Sequence, residues 1–556
     1  MNLKKLGIGF LIAILNGLLI WAITQDNEGS DKIENHPGWM EFYLDLKSGG
    51  TAIIPQGLVA SWYKADQQNA LRFKKAYNSL ENIKEIGPFN VGGRTRSIII
   101  DHSNPNKLIT AGISGGIWVS ENSGQSWKVV NDTAPTLSAT SITQSPFDPN
   151  MFYYGTGEPM GNSADLGGMG LFRSTDGAKS FEHLQHNMTI ALNEIWDVEH
   201  SLVFDSTIYV GTDGGGLWRS KNAGESFERI YSTGRKIHEI KVFEDSTIII
   251  AEAGAGLVKI HEATLYNERL NNNWPTSGYS RITFDYCKSF PQVMFAHVAN
   301  SSNTQIIKSL KTSNGGQTWN ETALPTRGRY DFAWYCLKLS VSPIDTNFVF
   351  SGSVNAVYTK NGGASWFEAG DSHADYHEVK WYPNGTDFLV GNDGGVYKYT
   401  TKDLNLLEDL NNGLNITQFY AGYYAPNGES LIGGTQDNGT HISFNGAPTF
   451  AKVYGGDGAF CHINQQDQSI RYVSWQNMNM YRQENGFSYP ISNYIKNAIG
   501  GDSYTWFINP FEVNPLDGNQ LYVPTKKHVY RSLNGGQNWI ALTGDLLGDS
   551  YAVGLS

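Results

Sequence analysis

The sequence predicts an all-β protein. It reads as a β-propeller of four-stranded blades, ten in number, preceded by a short helical segment. Three observations predict it. The composition carries Gly 61, Trp 15 and Tyr 29 in 556 residues, which suits many tight turns and aromatic packing between sheets. An octet recurs six times, at 120–127, 174–181, 220–227, 312–319, 359–366 and 532–539. The octets recur at a spacing that fits a blade.

The octet reads Ser/Thr-x-Asp/Asn-x-Gly-x-Ser/Thr-aromatic. Two copies depart from it, with Ala178 in place of Gly and Asn538 in place of the second hydroxyl residue. The pattern is that of a hairpin turn. The Asn or Asp side chain accepts backbone N–H bonds within the turn, and Gly takes the left-handed position without a Cβ penalty. The hydroxyls tie the strand ends, and the aromatic ring packs between layers. Strand-like runs such as 116–120 and 528–532 precede the copies.

The closing aromatics lie 54, 46, 92, 47 and 173 residues apart. A unit of about 45 residues fits most gaps once, the fourth-blade gap twice and the last gap four times, as four-stranded blades do. The gaps should hide blades without an octet, and 236–270, 376–410, 416–453 and 457–492 each read as strand, turn, strand. That gives ten blades between about 93 and 545. An alternative is two incomplete propellers of a larger protein. In blade three the strands are expected at 192–197, 207–211, 216–220 and 227–230. Strand alternation then places the octets on one face. The strand-two/three turns and the blade connectors fall on the other, where propellers usually carry their site.

Residues 1–24 carry Lys4 and Lys5 and then an apolar run, read as a secretory signal peptide or an uncleaved membrane anchor. Residues 25–86 are a polar linker and a short segment with helices expected at 38–47 and 64–83. The propeller spans 87–550. Residues 551–556 look like the first strand of a further blade or a strand that closes the ring.

The octets resemble the Asp-box, the bacterial neuraminidase repeat. The stretch Gly87 to Thr95 resembles the start of large secreted Bacteroidetes proteins. Those are similar to sortilin-type propellers and to xyloglucanase-type two-propeller glycoside hydrolases. The resemblance covers about Gly87 to the end. It implies the fold and a secreted or cell-surface location, with the periplasm as the alternative, and leaves the activity open.

Net charge is −12 and the pI is near 5.6, so no basic stripe exists to neutralise nucleic-acid phosphates. Three cysteines, Cys287, Cys336 and Cys461, are too few for a disulfide framework and read as isolated buried thiols. Sialidases that share the octet need an Arg-Ile-Pro motif and an arginine triad. Arg94 and Arg96 are early arginines, but neither the motif nor a set of three is present.

The richest constellation opens blade seven. If 373–377 is extended, His373, Asp375 and His377 share one side and could hold a divalent metal or place an acid and a base. Asp393 lies in the strand-two/three turn of the same blade, Asp437 in that of blade eight and Asp213 in that of blade three. Asp457 sits in the connector into blade nine, where Trp475 and Gln476 occupy the corresponding turn. An Asp before Gly is most simply a turn former. Carboxylates beside aromatic rings also suit carbohydrate, and two carboxylates at the right separation would make a glycosidase. Blade two has a long turn carrying Glu158 and Asp165, and long loops on rigid scaffolds often bind.

The sequence therefore favours a recognition protein that binds a glycan or protein ligand on the face of blades seven to nine. Glu158, Asp165, His373, His377, Trp475 and Gln476 are the expected contacts. A glycoside hydrolase using carboxylates among Asp213, Asp375, Asp393, Asp437 and Asp457 is the first rival. A structural surface-assembly component is the second. A membrane enters only if the N-terminal segment stays uncleaved.

Overall fold

A computed structural model describes residues 85–160, 167–184, 194–426, 428–499, 505–526 and 528–542. The expected signal or anchor, the helices at 38–47 and 64–83 and the strand at 551–556 lie outside the described residues. Among the described residues, forty strands (β1 to β40 in chain order) form ten antiparallel four-stranded sheets, each made of four consecutive strands. Blade three has β9 (Ile195–His200), β10 (Ile208–Thr212), β11 (Leu217–Ser220) and β12 (Glu228–Tyr231), within a few residues of expectation.

The octets form the strand-three/four turns by the expected bonds. In the first, Ser120 Oγ accepts the Gly124 N–H at 2.8 Å, and Asn122 Oδ1 accepts the Ser126 N–H at 3.0 Å. Gly124 has φ +86. Ala178 takes the same left-handed position at φ +60, and its methyl is buried in the cluster between blades one and two.

The inner strands are stitched blade to blade by side chains that reach backbone N–H groups. Asp197 on β9 accepts from Ser141 at 2.9 Å and from the Ile240 N–H of blade four at 2.8 Å. Glu239 accepts from Thr283 and the Phe284 N–H, and Asp285 from Ser340 and the Val341 N–H. Apolar clusters fill the wedges between neighbouring blades. One joins blades seven and one through Ile98, Trp118, Trp127, Leu389, Val396 and Leu410.

That cluster closes a ring. β1 (Thr95–Ile100) packs against β25 (Glu378–Trp381) and β26 (Asp387–Asn392). The ten expected blades are present, but the ring closes after seven. Blades eight to ten pack on one another as a second body, so the ten blades fall into two bodies, and the first propeller is complete where the two-propeller alternative expected it incomplete. Their clusters include helix α1 (Ser492–Ile499), which buries Ile495 and Ile499 between blades nine and ten. The sequence reading missed this helix, although Ile491, Ile495 and Ile499 recur at helical spacing.

The seven-bladed ring shares no strand between its ends, so closure rests on packing and a few hydrogen bonds. Trp127 Nε1 donates to Leu410 O at 2.7 Å, and Asn412 Nδ2 to Gln125 O at 2.9 Å. Trp127→Ala should therefore cost about 3–5 kcal/mol of ring stability. Scanning calorimetry of the variant should show the ring transition lowered, and Trp539→Ala in blade ten should leave that transition in place.

Candidate functional site at the seam of the ring and the second body

The chain enters β1 through Gly92 and Gly93, which are squeezed between the ring and blade eight. A Cβ on Gly92 would stand 2.4 Å from Gly394 O, and one on Gly93 2.4 Å from Ile416 O. Phe89 N–H donates to Pro448 O at 3.0 Å, and Asn90 exchanges two hydrogen bonds with Phe450. This close passage delivers Arg94 and Arg96 to the end of the central channel, at the face of the strand-two/three turns.

Arg94 is the hub. It contacts Glu158 of blade two at 3.5 Å, Asp393 of blade seven at 3.4 Å and Asp437 of blade eight at 3.1 Å. Arg96 pairs with Glu158, stacks 4.4 Å from the Tyr335 ring centre and meets His377 Nδ1 at 2.7 Å. His377 Nε2 lies 2.7 Å from Asp393 Oδ1, and the Tyr335 hydroxyl donates to Asp393 Oδ2 at 2.8 Å. Arg94, Arg96, Glu158, Asp393 and His377 all have buried side chains.

Protonation follows from this crowding. Burial alone would raise the Asp393 carboxyl, but Arg94, His377 and Arg96 outweigh it and hold it far below the usual range. Burial and then Arg96 push His377 down to about 3, despite Asp393. The imidazole is neutral, with its proton on Nε2 facing Asp393 and Nδ1 accepting from Arg96. Two guanidinium groups already face Glu158 and Asp393, so a third carboxylate gains little. Burial and then Asp393 raise Asp437 well above its usual range. Burial also raises Asp457, which accepts from the Asp437 carboxyl and, at 2.9 Å, from its backbone N–H. Asp375 is pushed up to about 6 by burial and Asp393, and Cys336 Sγ donates to it at 3.1 Å.

The structure thus gathers Glu158, His373, Asp375, His377, Asp393, Asp437 and Asp457 at the seam. Trp475 and Gln476 adjoin them: Gln476 Oε1 accepts the Asp457 N–H at 3.1 Å. Trp475 stacks on Tyr454 with centroids 4.4 Å apart and on Tyr481 at 5.2 Å, and all three rings are half-buried. Asp213 is elsewhere, 3.2 Å from Lys236 in the wall between blades three and four. Asp165 lies outside the described residues.

The expected metal triad does not assemble. Asp375 has φ +66, so 373–377 is not extended and the three side chains separate. His373 turns its two ring nitrogens to Ala374 O and Asp437 O, Asp375 goes to Cys336, and His377 goes to Arg96 and Asp393. Among the described residues no group of three or more His, Cys, Asp or Glu side chains could hold a metal ion. Cys287, Cys336 and Cys461 are free and buried. The sequence reading gave no role to Arg94, Arg96 or Tyr335 here, and it missed Tyr454 and Tyr481. The double glycine before Arg94 was the available signal.

No protein-family model matches the chain, and no curated protein does. Solved structures match in fold. An ancestral GH74 enzyme superposes with TM-score 0.53 at 13% identity, over 83% of this chain and 78% of that one. The GH74 enzyme of Niastella koreensis matches with TM-score 0.47 at 16% identity, over 81% and 79%. PorZ, a surface component of the type-IX secretion system of Porphyromonas gingivalis, matches with TM-score 0.47 at 11% identity, over 83% and 60%. At these identities the likeness is one of β-propeller fold.

The neutral His377 makes stability pH-dependent. The unfolded chain takes up that proton near pH 6.5, and the fold only at about 3. Between those values the unfolded chain binds more protons, so the His377 contribution is lost as pH falls from about 6.5 to about 3. Asp375, raised to about 6, acts in the opposite sense between about 4 and 6 in both wild type and variant. His377→Gln should therefore flatten the acid-side slope by up to about 1.4 kcal/mol per pH unit, read from urea midpoints between pH 4 and 7.

Proposed function

We propose that this is a secreted or cell-surface recognition protein that binds a glycan at the seam, on the face of blades seven to nine. The observation that carries this reading is the half-buried stack of Trp475, Tyr454 and Tyr481, tied through Gln476 to the Asp437–Asp457 carboxyl pair. Sugar rings stack on aromatic faces, and sugar hydroxyls bond carboxyl and amide groups. The Gln476 amide nitrogen has no protein partner among the described residues, and the Asp437 side chain is 26% exposed. Location outside the cytoplasm rests on the signal-like residues 1–24.

Glycoside hydrolysis is the second reading, and one observation favours it. Asp437 holds its proton well above the usual carboxyl range and is open enough to give it to a leaving group. Glycosidases hold their two carboxyl groups about 5–5.5 Å or about 6.5–9.5 Å apart. Asp437 and Asp457 are instead in hydrogen-bond contact, and Asp393 is spent on Arg94, His377 and Tyr335. That arrangement supports binding over cleavage.

Affinity electrophoresis of the full chain through xyloglucan, mixed-linkage β-glucan and algal polysaccharides tests the reading. Retardation by at least one polymer is expected, with Trp475→Ala weakening it about tenfold, ~1.4 kcal/mol. Reducing-end release that disappears in Asp437→Ala would sink the binding reading in favour of hydrolysis. No retardation by any polymer would shift the reading to a protein ligand.

A further inference from the structure

Blade nine carries an arginine where the octet blades carry a buried apolar side chain. In those six blades the strand-two residue opposite the first octet residue is Leu108, Phe152, Ile208, Met294, Val349 or Leu521, and each is fully buried. In blade nine, β34 (Ile470–Trp475) and β35 (Asn479–Glu484) are joined by a turn of the same length as that between β2 (Leu108–Gly112) and β3 (Gly116–Ser120). Counted from that turn, Arg471 takes the place of Leu108 and Gln483 that of Ser120, and the two pair in register.

The octet itself is missing from blade nine. Its aromatic ring elsewhere returns into the wedge towards the preceding blade: Trp127, Trp319 and Trp366 donate from Nε1 to Leu410 O, Leu270 O and Ala323 O at 2.7, 2.8 and 2.8 Å. In blade nine the turn Asn485-Gly486 leads straight into β36 (Phe487–Pro490), whose Phe487 and Tyr489 are exposed. The outer end of the wedge between blades eight and nine therefore lacks its ring. A cavity of about 300 Å³ stands there, lined by Val453, Ser469, Arg471, Gln483 and the Asn485-Gly486 turn. These strand-three/four and strand-one/two turns lie on the octet face, opposite the seam.

No carboxylate lines this cavity. The nearby ones are engaged: Asp467 Oδ1 accepts the Ser469 N–H at 2.9 Å, and Glu484 pairs with Arg482 at 3.0 Å. Among the described residues Arg471 has no ion-pair partner, and its buried Nε has no hydrogen-bond partner. Burial lowers the guanidinium below its ordinary value, with no carboxylate acting against it. The half-exposed Phe444 ring of blade eight stands 5.2 Å from it.

A buried N–H left unbonded is costly, and a guanidinium fork matches a carboxylate with two parallel hydrogen bonds. The slot beside it is the one an aromatic ring fills in the octet blades. Its volume is at the lower end of the range of about 300–1,000 Å³ typical of small-ligand sites. We propose that this wedge is a second ligand site, for a small organic carboxylate with a flat apolar body. The ring takes the place of the octet aromatic, and the carboxylate meets the Arg471 guanidinium beside Phe444.

Isothermal titration of the full chain with phenylacetate, phenylacetamide and inorganic sulfate tests this. Phenylacetate should bind, with the neutral amide and sulfate each about tenfold weaker or more. Arg471→Leu, which restores the side-chain type of the octet blades, should fold and lose phenylacetate binding, and Arg471→Gln should lose it too. Phe444→Ala should weaken it several-fold. Trp475→Ala at the seam should leave it unchanged, which separates this site from the proposed glycan face. The assignment is overturned by phenylacetamide or sulfate binding as tightly as phenylacetate, or by unaltered phenylacetate binding in whichever Arg471 variant is folded. Absence of phenylacetate binding up to about 10 mM overturns it as well.

Discussion

A propeller whose blades each consist of four consecutive strands has no β-ladder between its first and last blade. The seven-bladed ring meets that constraint with packed side chains and a few isolated hydrogen bonds. In the middle of the wedge, Trp127 and Leu410 join two sheets that are nearly three hundred residues apart in sequence. At the top, Arg94 takes over. Its guanidinium is buried, so it must be neutralised and hydrogen-bonded where it stands. The groups that do so come from blades two, seven and eight. One buried cation therefore closes the ring and ties the second body to it.

The two ends of the channel use charge differently. At the seam end, carboxyl groups outnumber guanidiniums, and the excess carboxyls are driven towards protonation. Asp393 stays ionised because it has Arg94, Arg96 and His377 around it, while Asp437, Asp457 and Asp375 are driven towards their neutral forms. At the octet end, Asp197 and Asp285 stitch neighbouring blades together through backbone N–H groups, and Lys338 sits between Glu239 and Glu378.

The seam also explains why residues distant in sequence act together. The strand-two/three turns of blades seven and eight touch, with Asn438 Nδ2 donating to Asp393 O at 3.0 Å. Blade nine adds the aromatic stack through Gln476. The likeness to an ancestral GH74 enzyme concerns the chain path alone, and the chemistry of the face rests on these contacts.

By itself the sequence determined the blades. The octets encode their turns locally, because Ser, Asn and Gly bond or bend within eight residues. Their spacing therefore counted ten sheets, including the four without an octet. The sequence also marked most of the acidic and histidine residues that meet at the seam, since Glu158, Asp393 and Asp437 sit in strand-two/three turns and His373, Asp375, His377 and Asp457 in blade connectors on the same face. Only the tertiary structure decided where the ring closes. Closure depends on the angle between packed sheets, which no local pattern records, and seven blades close where the count alone ran to ten. It also decided which groups share a charge. His373, Asp375 and His377 looked like one ligand set along an extended strand, but a single left-handed residue, Asp375, sends them to three different partners. Arg94 and Arg96, unremarkable in sequence, shift the protonation of the carboxyls around them, because burial and proximity are properties of the folded chain.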